Sequence, residues 1–144
     1  MKKLLLLLLA VPILAFAEKQ PKGVAYDVDI IRVTDGDTVV IAAPFLPAPL
    51  KPELAVRIYG VDTPEKGAKA KCKLEADRAA LASKYTKTVI GKGHEAQVVI
   101  YQWDKYGGRI LGDIIIDGQS IRAGLIANGL AREYYGTAKQ SWCD

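Results

Sequence analysis

Five short segments rich in β-branched and other apolar residues, separated by turn signals, limit this chain to a small β-rich fold. The Asp35-Gly36 step after the first segment is typical of a tight β-hairpin. Four prolines between residues 44 and 52 exclude a central strand there and predict a surface loop. The five segments predicted as strands are residues 24–31, 38–42, 54–60, 95–102 and 109–116.

Two helices are predicted, one after the third strand and one after the fifth. Four apolar residues recur at helical spacing and predict an amphipathic helix that ends near Gly91. The residues placed on one face of that helix are Leu74, Leu81, Tyr85 and Val89. Ser120 is a suitable N-cap for the second helix, which should end at Asn128. This element order predicts an α+β, mainly β domain, a closed five-stranded barrel of the OB type with two helices.

The N-terminus has the three regions of an export signal. Two lysines follow Met1, an apolar run occupies residues 4–14, and Ala15-Phe16-Ala17 fits a cleavage site. An uncleaved membrane anchor is the alternative, but roughly 14 apolar residues are too few to span a bilayer comfortably. We predict a signal peptide over residues 1–17 and one domain over residues 18–144, exported to the periplasm or secreted.

The charge of the mature domain is close to neutral. Loss of Lys2 and Lys3 with the signal lowers the formal net charge from +4 to +2. Global charge is therefore a weak argument for nucleic acid, and attraction to a polyanion must come from a local patch or a bound cation. We expect a monomer with no stable membrane association after cleavage.

Only two cysteines are present, Cys72 and Cys143. An exported chain with two cysteines ordinarily pairs them in an oxidising compartment, so we predict a disulfide between them. The alternative is a two-cysteine metal site, which lacks further soft ligands.

Acidic residues and one arginine gather in two short segments of the chain. The residues are Asp37, Arg57, Asp62 and Glu65. Hydrolysis of a phosphodiester needs a divalent cation, a group that orients or deprotonates water, and a positive charge facing the phosphate. This set offers candidate ligands for the cation and candidate residues for the other two roles. His94 is the only histidine, so the chain cannot supply the two imidazole groups that some hydrolytic mechanisms need. Two local alternatives stay open: Asp-Gly turns form without a metal, and an arginine in an apolar strand can pair with a nearby acid.

Four motifs, in this order, make the chain resemble the staphylococcal nuclease, or thermonuclease, family over about residues 28–135. Each motif alone is common, whereas all four in order are specific. The motifs are Thr-Asp-Gly-Asp-Thr at 34–38, Arg-Ile-Tyr-Gly-Val-Asp-Thr-Pro-Glu at 57–65, Asp-Lys-Tyr-Gly-Gly-Arg at 104–109 and Asn-Gly-Leu-Ala at 128–131.

The resemblance implies a single Ca²⁺ bound by two aspartates and a backbone carbonyl, here Asp37, Asp62 and the carbonyl of Thr63. Hard oxygen ligands of this kind suit calcium. The family's glutamate, a general base or water-orienting group, falls on Glu65. The family also uses two arginines, whose planar, permanently charged groups contact the scissile phosphate. They correspond here to Arg57 and Arg109.

By resemblance, the chain should cleave DNA and RNA with little sequence preference and leave 3′-phosphate ends. Three further family positions would line the nucleotide site, with tyrosine rings packing against sugar or base. They are Lys105, Tyr106 and Tyr135. One departure from the best-known member is an extra glycine, because Gly107 and Gly108 both precede the second arginine. The alternative is a non-catalytic OB-type module that binds nucleic acid, since this barrel hosts many functions.

Overall fold

The structure is a computed structural model that describes residues 22–144. The predicted signal peptide, residues 1–17, lies outside the described residues. Among the residues that are described, no helix combines the length and the apolar character needed to cross a bilayer.

A mixed sheet forms the body of the fold in residues 22–144. Its strands and those of a small second sheet are β1 (Val24–Asp27), β2 (Ile30–Asp35), β3 (Thr38–Ala42), β4 (Glu53–Ile58), β5 (Val61–Asp62), β6 (Ala96–Trp103), β7 (Arg109–Ile116), β8 (Gln119–Ser120) and β9 (Arg132–Glu133). The main sheet runs in the order β1-β6-β7-β4-β3-β2, and β8 pairs with β7. Only β4 and β7 pair in parallel within it, and β5 pairs with β9 in the second sheet.

The first predicted strand is two strands separated by a bend at Val28 and Asp29. The Val28 N–H donates to the carbonyl of Ala96 on β6 at 3.0 Å, and the Asp29 carbonyl accepts from the Ala42 N–H of β3 at 2.9 Å. The bend therefore carries the chain from one edge of the sheet to the other. An OB-like α+β fold with two helices is confirmed, but the expected closure is not, because no ladder joins β1 to β2 in the described part of the chain.

Both predicted helices are present, as α1 (Lys73–Lys92) and α2 (Ile121–Ala127). Ser120 caps α2 as predicted, since its Oγ accepts a hydrogen bond from the Ala123 N–H at 3.0 Å. The face that α1 turns to the sheet is only partly the predicted one, because Leu74 and Leu81 are 41% and 56% exposed. Its buried residues are Glu75, Ala79, Ala82 and Thr86.

Small side chains on α1 let the helix lie against the turn between β2 and β3. A Cβ atom at Gly36 would be 2.7 Å from the Cβ of Ala82, closer than such atoms approach in real structures. The Thr86 Oγ1 donates a hydrogen bond to the Gly36 carbonyl at 2.7 Å. Glycine is therefore required at position 36 by the close approach of the helix, and α1 fixes the turn that carries Asp37.

Side chains from the sheet and from both helices share a hydrophobic core. Val56 on β4 and Ile114 on β7 are fully buried, and α2 adds Ile121 and Leu125. Each such side chain contributes roughly 1.5–3 kcal/mol when it is removed from water. The core thereby fixes the central strand β4, whose end leads directly into the acidic segment.

Candidate active site

Asp37 lies in the two-residue turn between β2 and β3 and contacts the second acidic segment directly. Its Oδ1 accepts a hydrogen bond from Thr38 Oγ1 at 3.0 Å, and its Oδ2 accepts one from Thr63 Oγ1 at 3.0 Å. The β3–β4 ladder pairs Thr38 with Arg57, and the Arg57 guanidinium lies 3.5 Å from Asp37 Oδ2. The two motifs that are separate in sequence are therefore joined in space.

A polar cleft of about 280 Å³ brings most of the predicted site together. The predicted residues that line it are Asp37, Arg57, Thr63, Glu65 and Arg109. Asp62 lies in an adjoining groove, which shares Thr63 and Glu65 with the cleft. Two carboxylates and two guanidinium groups of the predicted site thus line one volume, and a third predicted carboxylate lies beside it.

Arg57 combines an ion pair with a position on the cleft wall. Besides its contact with Asp37, its guanidinium donates to the carbonyl of Val61 at 3.4 Å. The pairing with a nearby acid, left open as an alternative from the sequence, is therefore present. The side chain is still 22% exposed, so pairing does not remove it from the cleft.

Asp62 is fixed by the small second sheet and by the C-terminal segment, residues 134–144, which follows β9. In the β5–β9 ladder it lies opposite Arg132. Its Oδ1 is 2.8 Å from Lys139 Nζ, and its Oδ2 accepts a hydrogen bond from Trp142 Nε1 at 3.0 Å. Because the side chain is only 7% exposed, these partners offset the cost of burying its charge.

The loop before Arg109 absorbs the additional glycine. Gly107 and Gly108 both have positive φ, 70° and 71°, a conformation that costs glycine little. Arg109 lines the cleft, and its Nε donates to Asp104 Oδ2 at 2.7 Å, with a second contact from its NH2 group. This guanidinium holds the pKa of Asp104 below its usual range. Arg109 is therefore aimed by an ion pair within its own loop.

The three predicted nucleotide-binding residues are not among those that line the cleft. Tyr106 is 82% exposed, and the Lys105 ammonium lies 4.9 Å from the centre of its ring. Tyr135 packs edge to face against Tyr59 with ring centres 5.8 Å apart, and its hydroxyl accepts a hydrogen bond from Arg122 at 2.8 Å. Their role in substrate binding stays a prediction.

Glu75 supports the segment that carries Glu65, a function that its position at the start of a helix did not indicate. Its side chain is buried, and its two oxygens accept hydrogen bonds from the backbone N–H groups of Glu65 at 3.1 Å and Lys71 at 2.7 Å. These bonds, led by the one from Lys71, lower the pKa of Glu75. The loop between β5 and α1 is therefore fastened at both ends by one carboxylate.

We expect Glu75→Gln to lower the free energy of unfolding by about 1.5–3 kcal/mol near pH 7, because an amide oxygen replaces a charged acceptor. The stabilisation by the carboxylate is present above the ordinary glutamate pKa of about 4.3 and is lost as the pH falls through the lower folded-state value. The difference between the two proteins should therefore shrink below about pH 4. Urea denaturation at several pH values measures it.

The exposed carboxylate of Asp77 on the same helix is the matched control. It pairs with Lys73 four residues earlier at 2.7 Å, and Asp77→Asn should change stability by less than about 0.5 kcal/mol. Equal stability of wild type and Glu75→Gln from pH 7 to pH 3 would contradict the supporting role of Glu75.

The C-terminal segment reaches the site through the predicted disulfide and through side-chain contacts that no sequence pattern indicated. Cys143 forms the predicted disulfide with Cys72, the residue before α1, with Cα atoms 6.0 Å apart. Arg78 on α1 donates to the carbonyl of Trp142 at 2.7 Å, and Trp142 is 80 residues from Asp62, to which it donates. No local spacing could link residues this far apart.

Lys139 is the second residue of this segment that the sequence did not indicate. Its ammonium lies 2.8 Å from Asp62 Oδ1 and 4.0 Å from Glu65 Oε1. The hydrogen bond to Asp62 raises the pKa of Lys139, which favours the charged form. A positive charge supplied by the chain itself therefore contacts two of the predicted acidic residues.

The oxygen donors of the site suit a hard divalent cation. The carboxylates of Asp37 and Asp62 and the carbonyl of Thr63 are the donor type that calcium prefers. Residues 22–144 contain no cluster of three or more His, Cys, Asp or Glu side chains that could hold a metal. A set of two carboxylates and a backbone carbonyl does not require such a cluster, so the donor chemistry fits.

Comparison with known proteins gives one finding. Residues 55–142 match the protein family described as staphylococcal nuclease homologue. The match begins within β4 and covers more than half of the chain, including Asp62, Glu65 and both arginines of the cleft. No curated protein gives a significant match.

Proposed function

Because this chain belongs to the staphylococcal nuclease family, we propose that it is an exported, Ca²⁺-dependent endonuclease that hydrolyses both DNA and RNA and leaves 3′-phosphate ends. Family membership supports a nuclease-like protein that acts on nucleic acids. The calcium requirement, the cleavage of both DNA and RNA, and the export are further properties that we propose.

The observation that carries the proposal is the mixed charge of a single cleft. Asp37 and Glu65 line it together with Arg57 and Arg109. A module that only binds a phosphate backbone gains nothing from carboxylates there, because they repel the backbone unless a cation is bound. A phosphodiester hydrolase uses both charges, one for the cation and the water and the other for the phosphate.

We assign the calcium ligands to Asp37, Asp62 and the carbonyl of Thr63. A bound calcium ion would supply Lewis-acid polarisation of phosphate oxygens and a site for water. The chain fixes the positions of the residues that carry these donors, since Thr63 donates to Asp37 at 3.0 Å and Asp62 lies in a ladder. Preorganisation of this kind lowers the reorganisation that binding requires.

The cleft residues divide the reaction between them. Arg57 and Arg109 would hold nonbridging phosphate oxygens and stabilise the charge that develops on them. Glu65 would orient a water molecule and accept its proton. The water oxygen then forms a bond to phosphorus while the bond to the 5′ oxygen breaks. The 5′ oxygen takes up a proton and leaves as a hydroxyl, and the phosphate stays on the 3′ oxygen.

The test is cleavage of single-stranded DNA and RNA by the protein purified after expression of the full chain. We expect cleavage of both substrates with Ca²⁺, none with a chelator, and a loss of about 10²-fold or more in Asp37→Ala. Asp77→Ala, which removes an exposed carboxylate from α1, is the matched control and should keep wild-type activity. Export is tested on the same material, whose first residue should be Glu18.

A non-catalytic nucleic-acid-binding module is the second candidate, and one observation favours it. Charged groups of the predicted site already have partners within the chain: Lys139 pairs with Asp62, and Asp104 pairs with Arg109. Binding of substrate without cleavage, unchanged by Ca²⁺ or chelator, would support this candidate and overturn the nuclease proposal.

A further inference from the structure

The ammonium of Lys139 contacts the carboxylate of Asp62, one of the predicted cation ligands, and so neutralises part of the site's negative charge. Its ammonium is 2.8 Å from Asp62 Oδ1 and 4.0 Å from Glu65 Oε1. It also lines the cleft, and 45% of its side chain is exposed. The carboxylate of Asp62, by contrast, is only 7% exposed. A buried carboxylate needs a counter-charge, and the Lys139 ammonium supplies one in direct contact with it.

The backbone that follows Lys139 is anchored, so the presence of Lys139 at Asp62 is a property of the fold. Trp142 donates to the other Asp62 oxygen and stacks under Arg132, whose guanidinium lies 3.8 Å from the centre of its ring. Arg132 also donates to the Ser141 carbonyl at 2.7 Å. With the Cys72–Cys143 disulfide next to it, the segment can hold the ammonium beside Asp62 at a high effective concentration.

We propose that Lys139 competes with the divalent cation for Asp62 Oδ1, so that this lysine determines the cation affinity of the site. The inference rests on the proposed function, because it takes Asp62 as a cation ligand. A divalent cation bound to this oxygen would be repelled at close range by the ammonium 2.8 Å from it. Cation binding is therefore an exchange, in which the flexible lysine side chain turns into the cleft while its backbone stays anchored.

The exchange has a consequence for affinity. Any cation that binds must replace the ion pair between Lys139 and Asp62 and tolerate the ammonium nearby. Removal of the ammonium eliminates both costs. We expect Lys139→Met to bind Ca²⁺ about tenfold more tightly than wild type, a change similar in size to the usual coupling between two bound ligands.

Isothermal titration calorimetry with Ca²⁺ alone, on protein purified after expression of the full chain, tests the inference without any measurement of cleavage. Lys139→Arg keeps a cation at this position and should bind Ca²⁺ with an affinity nearer to wild type than to Lys139→Met. Lys87→Met removes an equal charge from an exposed site on α1 and should bind like wild type. Thermal melting establishes that each variant is folded.

A second measurement uses the wild-type protein, in case Lys139→Met does not fold. In ¹⁵N-lysine spectra, the ammonium signal of Lys139 should shift as Ca²⁺ is added, while that of Lys87 should not. Equal Ca²⁺ affinity of folded Lys139→Met and wild type, or an unmoved Lys139 signal at saturation, would overturn this inference and leave the proposed nuclease intact. Failure of wild type and Lys139→Met alike to bind Ca²⁺ would overturn both.

Discussion

Replacement of Glu65 by glutamine should lower the rate of phosphodiester cleavage by a factor of about 10²–10⁴, the usual contribution of a general base. The amide keeps the size of the side chain but cannot accept a proton from water. The side chain of Glu65 is 46% exposed and lies 4.0 Å from the Lys139 ammonium, so the change should leave folding intact. Single-turnover cleavage of a short labelled DNA at saturating Ca²⁺ measures the chemical step directly.

The matched control is Glu95→Gln, which changes an exposed carboxylate that immediately precedes β6 and does not line the cleft. It should cleave at the wild-type rate. Calcium affinity supplies a second comparison, because Glu65 is not one of the three assigned ligands and Glu65→Gln should bind Ca²⁺ nearly as well as wild type. Wild-type cleavage by Glu65→Gln would refute its role as the base.

Local sequence patterns could identify residues whose structural role is set by their neighbours in the chain, such as turn and helix-capping residues. The Asp35-Gly36 step predicts the hairpin that holds Asp37, and Ser120 caps α2 as its position predicts. The two strand ends that carry Asp37 and Arg57 meet because β3 and β4 are adjacent. The order of strands and helices therefore contains enough information to bring the acidic segments together.

The face of α1 shows where periodicity stops being sufficient. Leu74 and Leu81 have helical spacing but are exposed, while Ala82 and Thr86 are buried against the hairpin. Burial there is decided by the distance between helix and turn, which Gly36 and small side chains make short. Hydrophobic spacing reports which residues share a face, and only tertiary packing decides which face is covered.

The support of the site comes from residues that are remote or locally ambiguous. Glu75 has an ordinary position in the first turn of a helix, yet both its oxygens bind backbone N–H groups of the preceding loop. Lys139 and Trp142 reach Asp62 across 77 and 80 residues of chain. Contacts of this range leave no trace in local spacing, although the pairing of the two cysteines indicated that the C-terminal segment returns to α1.

The disulfide should therefore have the largest effect on stability of any change outside the core. We expect Cys72→Ser combined with Cys143→Ser to lower the free energy of unfolding by about 4 kcal/mol, because the bridge closes a loop of 71 residues in the unfolded chain. The double replacement avoids a free thiol, and a serine at position 72 can still cap α1, where the cysteine sulfur accepts from the Glu75 N–H. Urea denaturation at pH 7 measures the difference.

Reduction distinguishes the bridge from the side chains that replace it. Dithiothreitol should destabilise wild type to about the level of the double variant and leave the double variant itself unchanged. The C-terminal segment would then depend on noncovalent contacts, among them the Arg78 bonds, the Arg132 bond to Ser141 and the Trp142 bond to Asp62. Because that segment holds Lys139 on Asp62, loss of the bridge should also weaken the ion pair and bring the Ca²⁺ affinity closer to that of Lys139→Met. A loss below about 1 kcal/mol would show that the noncovalent contacts hold the segment without the bridge.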